Sequence, residues 1–126
     1  MNEKDLCPCG KQANYLDCCG RYIEGGVYPQ DPEHLMRSRY TAFAKHKRNY
    51  LIKTWHPKTC PPMSMEELQA VTWLNLNVLA AKSGLKKATV EFEVSYQEGD
   101  ETKSFTECSV FKKVKNRWVY FGEEAN

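Results

Sequence analysis

The sequence predicts an α+β protein in which a short cysteine-held module precedes helices and then an antiparallel sheet. Three observations carry this reading. Four cysteines fall in two pairs within the first 19 residues, in a stretch with few aliphatic side chains. From Asp31 to about Trp55 the apolar residues recur at helical spacing, and from Trp73 onward they alternate with polar ones. Helices first and strands second is the α+β layout rather than an alternation of the two.

The chain has 126 residues, 41% hydrophobic and 27% charged, which is room for about one modest core. Its net charge of +2 excludes reading the whole surface as a polyanion binder. The basic runs Lys45-His46-Lys47-Arg48, Lys86-Lys87 and Lys112-Lys113-Val114-Lys115 read as solvated faces, with nucleic-acid or ribosome contact the minority reading. No apolar stretch approaches the ~20 residues that span a bilayer. Met1 to Asp5 lacks the basic-then-apolar layout of a signal peptide, so a cytoplasmic location without membrane contact is expected.

Residues 1–30 cannot bury enough apolar surface to order themselves and need a staple. Cys7-Pro8-Cys9 and Cys18-Cys19 supply it, each pair offering two sulfurs from nearly one point in space. Four thiolates close a tetrahedral zinc site with no open position, which is structural rather than hydrolytic. The spacing alone leaves an iron–sulfur cluster, a disulfide arrangement and free thiols open. Lys4, Lys11 and Arg21 are near enough in sequence to offset the cluster's negative charge. Cys60 and Cys108 stand apart and read as ordinary thiols.

Asp31-Pro32-Glu33 is a helix start: a capping side chain, a proline suited to the first turn, and an acid at the positive end of the dipole. That helix is predicted to run to about His46. A second runs from Tyr50 to about Trp55 and stops before Pro57. Lys58 to Met63 is a loop, and Ser64-Met65-Glu66-Glu67 is a capping box that starts another turn or two. Strands follow at 74–80, 90–96, 105–114 and 118–121, with turns at Ser83-Gly84, Gly99-Asp100 and Lys115-Asn116.

At 100° per residue, Arg39 falls inside the apolar face set by Leu35, Met36, Tyr40 and Phe43. A core-facing guanidinium either snorkels at the core edge, forms a structural ion pair, or recognises an anion bound in the interior. Strand alternation puts Glu107 and Ser109 on the face of Phe105 and Phe111, so Arg39 and Glu107 are predicted to pair or to line a pocket together. Arg39, Tyr40, Trp55, His56 and Glu107 form the candidate pocket. No catalytic residue is assigned.

Cys7-Pro8-Cys9-Gly10, Tyr15 and Cys18-Cys19-Gly20 resemble the SEC-C motif, the small zinc-binding module at the C-terminus of the SecA translocation motor. They depart from it at Lys11-Gln12, where Ser-Gly is usual, and at Cys19, where the motor has histidine. Asp31 to Tyr40 and Tyr50 to Pro57 resemble the YchJ-like family of bacterial proteins. That resemblance implies a SEC-C module over 1–30 and an NTF2-like domain over 31–126, a cone of helices packed in a curved antiparallel sheet. Longer relatives carry a second cysteine motif, which this sequence does not contain, and the resemblance brings no established activity.

Two functional classes follow. The favoured one is a protein-interaction module, with one structural zinc shaping a knuckle that docks another protein. The alternative is a small-ligand protein or enzyme that holds an anion inside the cone. The expected test is the interior, filled by its own side chains in the first case and open in the second. The knuckle and the 32–121 core are expected to be separable, so that chelation loosens only the former.

Overall fold

The computed structural model describes residues 6–124. Among these the chain first forms the knuckle, with a 3₁₀ turn at Tyr15–Asp17 and a short helix α1 at Gly20–Ile23. Helices α2 (Pro32–Ala44), α3 (Arg48–Lys53) and α4 (Met65–Gln69) follow. Strands β1 (Thr72–Ser83), β2 (Lys87–Glu98), β3 (Glu101–Val114) and β4 (Arg117–Glu123) then pair antiparallel in the order β1-β2-β3-β4. The α+β expectation holds, and the strands are longer than their apolar cores suggest.

Helix α2 starts as its sequence dictates: Asp31 accepts from the His34 backbone N–H at 2.8 Å, and Pro32 fills the first turn. It stops at Ala44, two residues short of the expected end, because His46 takes φ +61° and cannot continue a right-handed helix. The Ser64–Glu67 capping box forms in both directions at 3.1 Å and starts α4. Between β3 and β4, Lys115 and Asn116 both have positive φ, as a two-residue hairpin with the twist of its strands requires.

The register brings Val90 opposite Ser109, Phe92 opposite Glu107 and Val94 opposite Phe105, so these six side chains share the concave face. Glu91 and Glu93 point to solvent, as alternation requires. Bulges at Trp73/Asn75, Val78/Ala80 and Val110/Phe111 curl the sheet. The first of them turns Trp73 towards α2, in contact with Tyr40 and Phe43, and leaves Leu74 exposed. Residues 54–56 run along the edge of β4: Tyr120 N–H donates to Thr54 O at 2.9 Å and His56 N–H to Tyr120 O at 2.8 Å. An open sheet edge is thereby covered.

The buried core does not divide at residue 30. One cluster contains Cys7, Cys9, Tyr15, Cys18 and Cys19 together with Leu35, Met36, Tyr40, Leu76, Phe92 and Phe111. Among the described residues, then, the core of 32–121 is shared with the knuckle rather than separate as expected, since the knuckle is too short to bury its cysteines without α2 and β1. Gly10, at φ +92°, marks the contact: a Cβ there would lie 3.5 Å from Leu76 O. No helix among the described residues is long and apolar enough to cross a membrane.

Candidate functional site

Two places gather chemistry-bearing side chains, and α2 lies between them. Arg37 and Thr41 meet the knuckle, while Met36, Arg39, Tyr40 and Phe43 line a cavity within the cone.

In the knuckle, the Sγ atoms of Cys7, Cys9, Cys18 and Cys19 all lie within 4.8 Å of one another, and all four residues are buried. Cys9 Sγ and Cys18 Sγ are 3.6 Å apart, unbonded. A tetrahedron of sulfurs about 2.3 Å from a central ion has edges of about 3.8 Å, so the four residues fit a metal ion. The local chain arranges this with few residues. Cys7 N–H donates to Ala13 O at 2.7 Å, closing the first loop, and Asn14 caps the 3₁₀ turn that delivers Cys18 and Cys19. A Cβ on Gly20 would come within 2.7 Å of Tyr15 O, so this turn requires glycine.

Burial, with repulsion from the neighbouring sulfurs, pushes the Cys18 thiol up to about 11. Cys7 and Cys19 shift oppositely, Cys7 down and Cys19 up, because the hydrogen bond between them favours one thiolate beside one thiol. A divalent cation replaces such protons and stabilises all four thiolates. Of the cations expected near the cluster, Arg21 donates to Cys18 O at 2.9 Å, Lys11 is exposed, and Lys4 lies outside the described residues. Sequence reasoning missed Arg37, whose Nη1 donates to Cys9 O at 2.8 Å while Nε meets Glu33 Oε2 at 3.1 Å. Its place off the apolar face of α2 was the available signal: that side carries the knuckle rather than water.

The cone cavity has a volume of about 200 Å³. Arg39, Tyr40, Trp55 and Glu107 line it, together with Ser109, Tyr120 and a wall of Phe43, Trp73, Phe92, Phe105 and Phe111. Arg39 is only 5% exposed. Trp55 and Tyr120 cover its guanidinium, each ring centroid 4.6 Å away, and Nη1 donates to Leu51 O at 3.0 Å and Thr54 Oγ1 at 2.7 Å. Burial lowers its pKa to about 10, which leaves it protonated at neutral pH. Glu107 Oε2 accepts from Ser109 Oγ at 2.6 Å and from Tyr120 OH at 3.0 Å.

Two expectations need correction. Among the described residues no ion pair within 4.0 Å joins Arg39 to Glu107; Tyr120 stands between them, its ring on the guanidinium and its hydroxyl on the carboxylate. Of the two arrangements expected for these residues, the shared pocket is the one present. His56 does not line the cavity. The bridge of Trp55 to Tyr120 makes this segment extended, so successive side chains alternate and His56 turns outward. There it meets the Phe121 ring edge-on at 5.1 Å and accepts from Lys58 N–H at 3.1 Å. Trp55 Nε1 is buried without a hydrogen-bond partner among the described residues.

A four-cysteine knuckle seated on a helix-filled curved sheet defines a class: an SEC-C-type module on an NTF2-like cone. The family model for the YchJ middle NTF2-like domain matches residues 31–122, and the chain belongs to that family. It is similar to a UPF0225 protein of Bordetella pertussis, 41% identical over 117 residues, which covers 90% of this chain and 88% of that one. A UPF0225 protein of Xanthomonas campestris is 40% identical over 92% of both chains. The solution structure of an SEC-C motif containing protein from Rhodopseudomonas palustris matches with a TM-score of 0.84 at 31% identity, covering 96% of this chain and 98% of that one. The crystal structure of such a protein from Psychrobacter arcticus gives 0.82 at 26%, covering 98% and 85%.

Proposed function

We propose that this protein binds a small ligand in its cone, and that the knuckle holds one structural zinc ion that fixes α2, a wall of the cavity. One observation carries the ligand reading: the interior is left open around Arg39, Glu107, Ser109 and Tyr120 instead of being filled by aliphatic side chains. A cavity of about 200 Å³ is below the ~300–1,000 Å³ of drug-sized sites, so the ligand is fragment-sized. Zinc is the ion because four thiolates suit it and leave no position for substrate. Thiols kept reduced, as in the cytoplasm, are what such a site requires.

The test pairs elemental analysis with a fragment screen read on the indole N–H resonances of Trp55 and Trp73. One zinc per chain and saturable shifts from some fragments are expected. A screen that moves neither indole would overturn the ligand reading, and four titratable thiols without zinc would overturn the metal. A second reading, docking of another protein by the knuckle, is favoured by Leu6 and Leu16, 62% and 64% exposed beside the cysteine pairs. Its test is whether Leu6→Ser and Leu16→Ser abolish capture of a defined partner while zinc is retained.

A further inference from the structure

We infer that the ligand is a neutral, flat ring compound carrying a hydroxyl or N–H donor, held by Glu107. This rests on the cone being a ligand site and goes on to its chemistry.

The cavity's two formal charges cancel. Arg39 contributes one positive and Glu107 one negative charge, while burial pushes the other titratable groups on the wall, Tyr40 and Tyr120, away from ionisation at neutral pH. A charged ligand would bring an uncompensated charge into a largely apolar space, at a desolvation cost that Coulombic attraction repays only with a dedicated partner.

Each charged side chain is already balanced by the other, so an ion of either sign would leave the cavity with one uncompensated charge. Arg39, the anion-binder suggested by sequence, is sandwiched between Trp55 and Tyr120 and donates Nη1 inward to Leu51 O and Thr54 Oγ1. The guanidinium also occupies the Trp55 and Tyr120 ring faces, so a second cation would not find those two free. Glu107 differs. Ser109 and Tyr120 both bond to Oε2, and Oε1 accepts no hydrogen bond among the described residues. It is a fixed acceptor at the wall of an aromatic chamber, so it selects a donor. The chamber selects the shape: Trp73 lies 6.0–6.4 Å from Tyr40, Phe43 and Phe105 in tilted and edge-on contacts, a geometry that extends naturally to one more ring.

The experiment titrates the zinc-loaded full chain with phenylmethanol, benzylammonium and benzoate, which share a ring and differ in charge. Binding is read on the Trp55 and Trp73 indole resonances. Phenylmethanol is expected to bind at least ~10-fold more tightly than either ion. Equal or tighter binding of an ion, or silence of all three while other fragments bind, overturns the ligand class and leaves the cavity reading standing. Silence of every fragment overturns the cavity reading itself. Glu107→Gln adds a second readout: with Arg39 no longer balanced, the preference should move towards benzoate, and an unchanged ranking would show that Glu107 does not set it.

Discussion

The knuckle and the cone both bury polar groups, and they resolve the difficulty in opposite ways. The knuckle gathers four side chains of one kind, so that ionising them together demands a cation from outside. The cone gathers one cation and one carboxylate, held apart by a tyrosine that touches both, and is neutral without help. The first site is built from a spacing of cysteines, the second from the meeting of a helix with a sheet. A cluster of like groups therefore advertises its ligand in the sequence, whereas a balanced cavity hides its own until folded.

The largest effect should come from breaking the knuckle. Cys9→Ser, Cys19→Ser or chelation should lower the unfolding free energy by on the order of 5 kcal/mol or more, given what structural zinc contributes to small domains. Because the cysteines share a core with Leu35 and Leu76, the loss should reach the cone. Thermal melts together with the backbone amides of Thr41 and Leu76 measure this. Unchanged amides in α2 and β1 would restore the picture of two separable parts.

Next is the cone's buried charge. Arg39→Ala should cost about 2–4 kcal/mol, through lost stacking on two rings and the loss of two hydrogen bonds. Arg39→Met, which keeps apolar contact and removes the charge, should cost less. A double-mutant cycle with Glu107→Gln in urea should give a coupling below about 1 kcal/mol, because Tyr120 stands between the two groups and no ion pair within 4.0 Å joins them. A coupling of several kcal/mol would mean a direct pair.

A smaller effect separates the regions by pH. Burial pushes Tyr40 up to about 12, above the ordinary value of 10.0. A group whose folded pKa is raised contributes stability that is full below its unfolded pKa and is lost as pH climbs towards the folded value. Tyr40 should therefore help hold the fold up to about pH 10 and give up about 1–2 kcal/mol between pH 10 and 12. Tyr40→Phe should show a shallower decline over that window in urea titrations. The smallest effect is at the knuckle's outer face, where Leu16→Ser should change stability by no more than about 0.5 kcal/mol.

The legibility of the two sites follows the same contrast. Cys7, Cys9, Cys18 and Cys19 were plain from spacing, since ligands to one ion must be close however the rest folds. The α+β order, the Asp31 cap, the Ser64 capping box and the inward turn of Arg39 and Glu107 followed from local rules of period and capping. Three features did not. His56 faces outward because residues 54–56 join the edge of β4, a long-range pairing that no local pattern records. Tyr120 reaches both charges only once β4 is in register with β3. Arg37 serves the knuckle because the non-apolar side of α2 is covered by another part of the chain. Each depends on what a surface meets, which local sequence does not state.

The continuity of the core also has a consequence for biosynthesis. The last cysteine of the cluster is made about 60 residues before Leu76, which shares its buried cluster in the finished fold. At roughly 5–20 residues per second that is an interval of about 3–12 s before the β1 part of the thiols' cover is made. Ligation or oxidation competes during that window, before any sheet exists. A metal ion suited to the four thiols would thus have access to them before the rest of the cone is made.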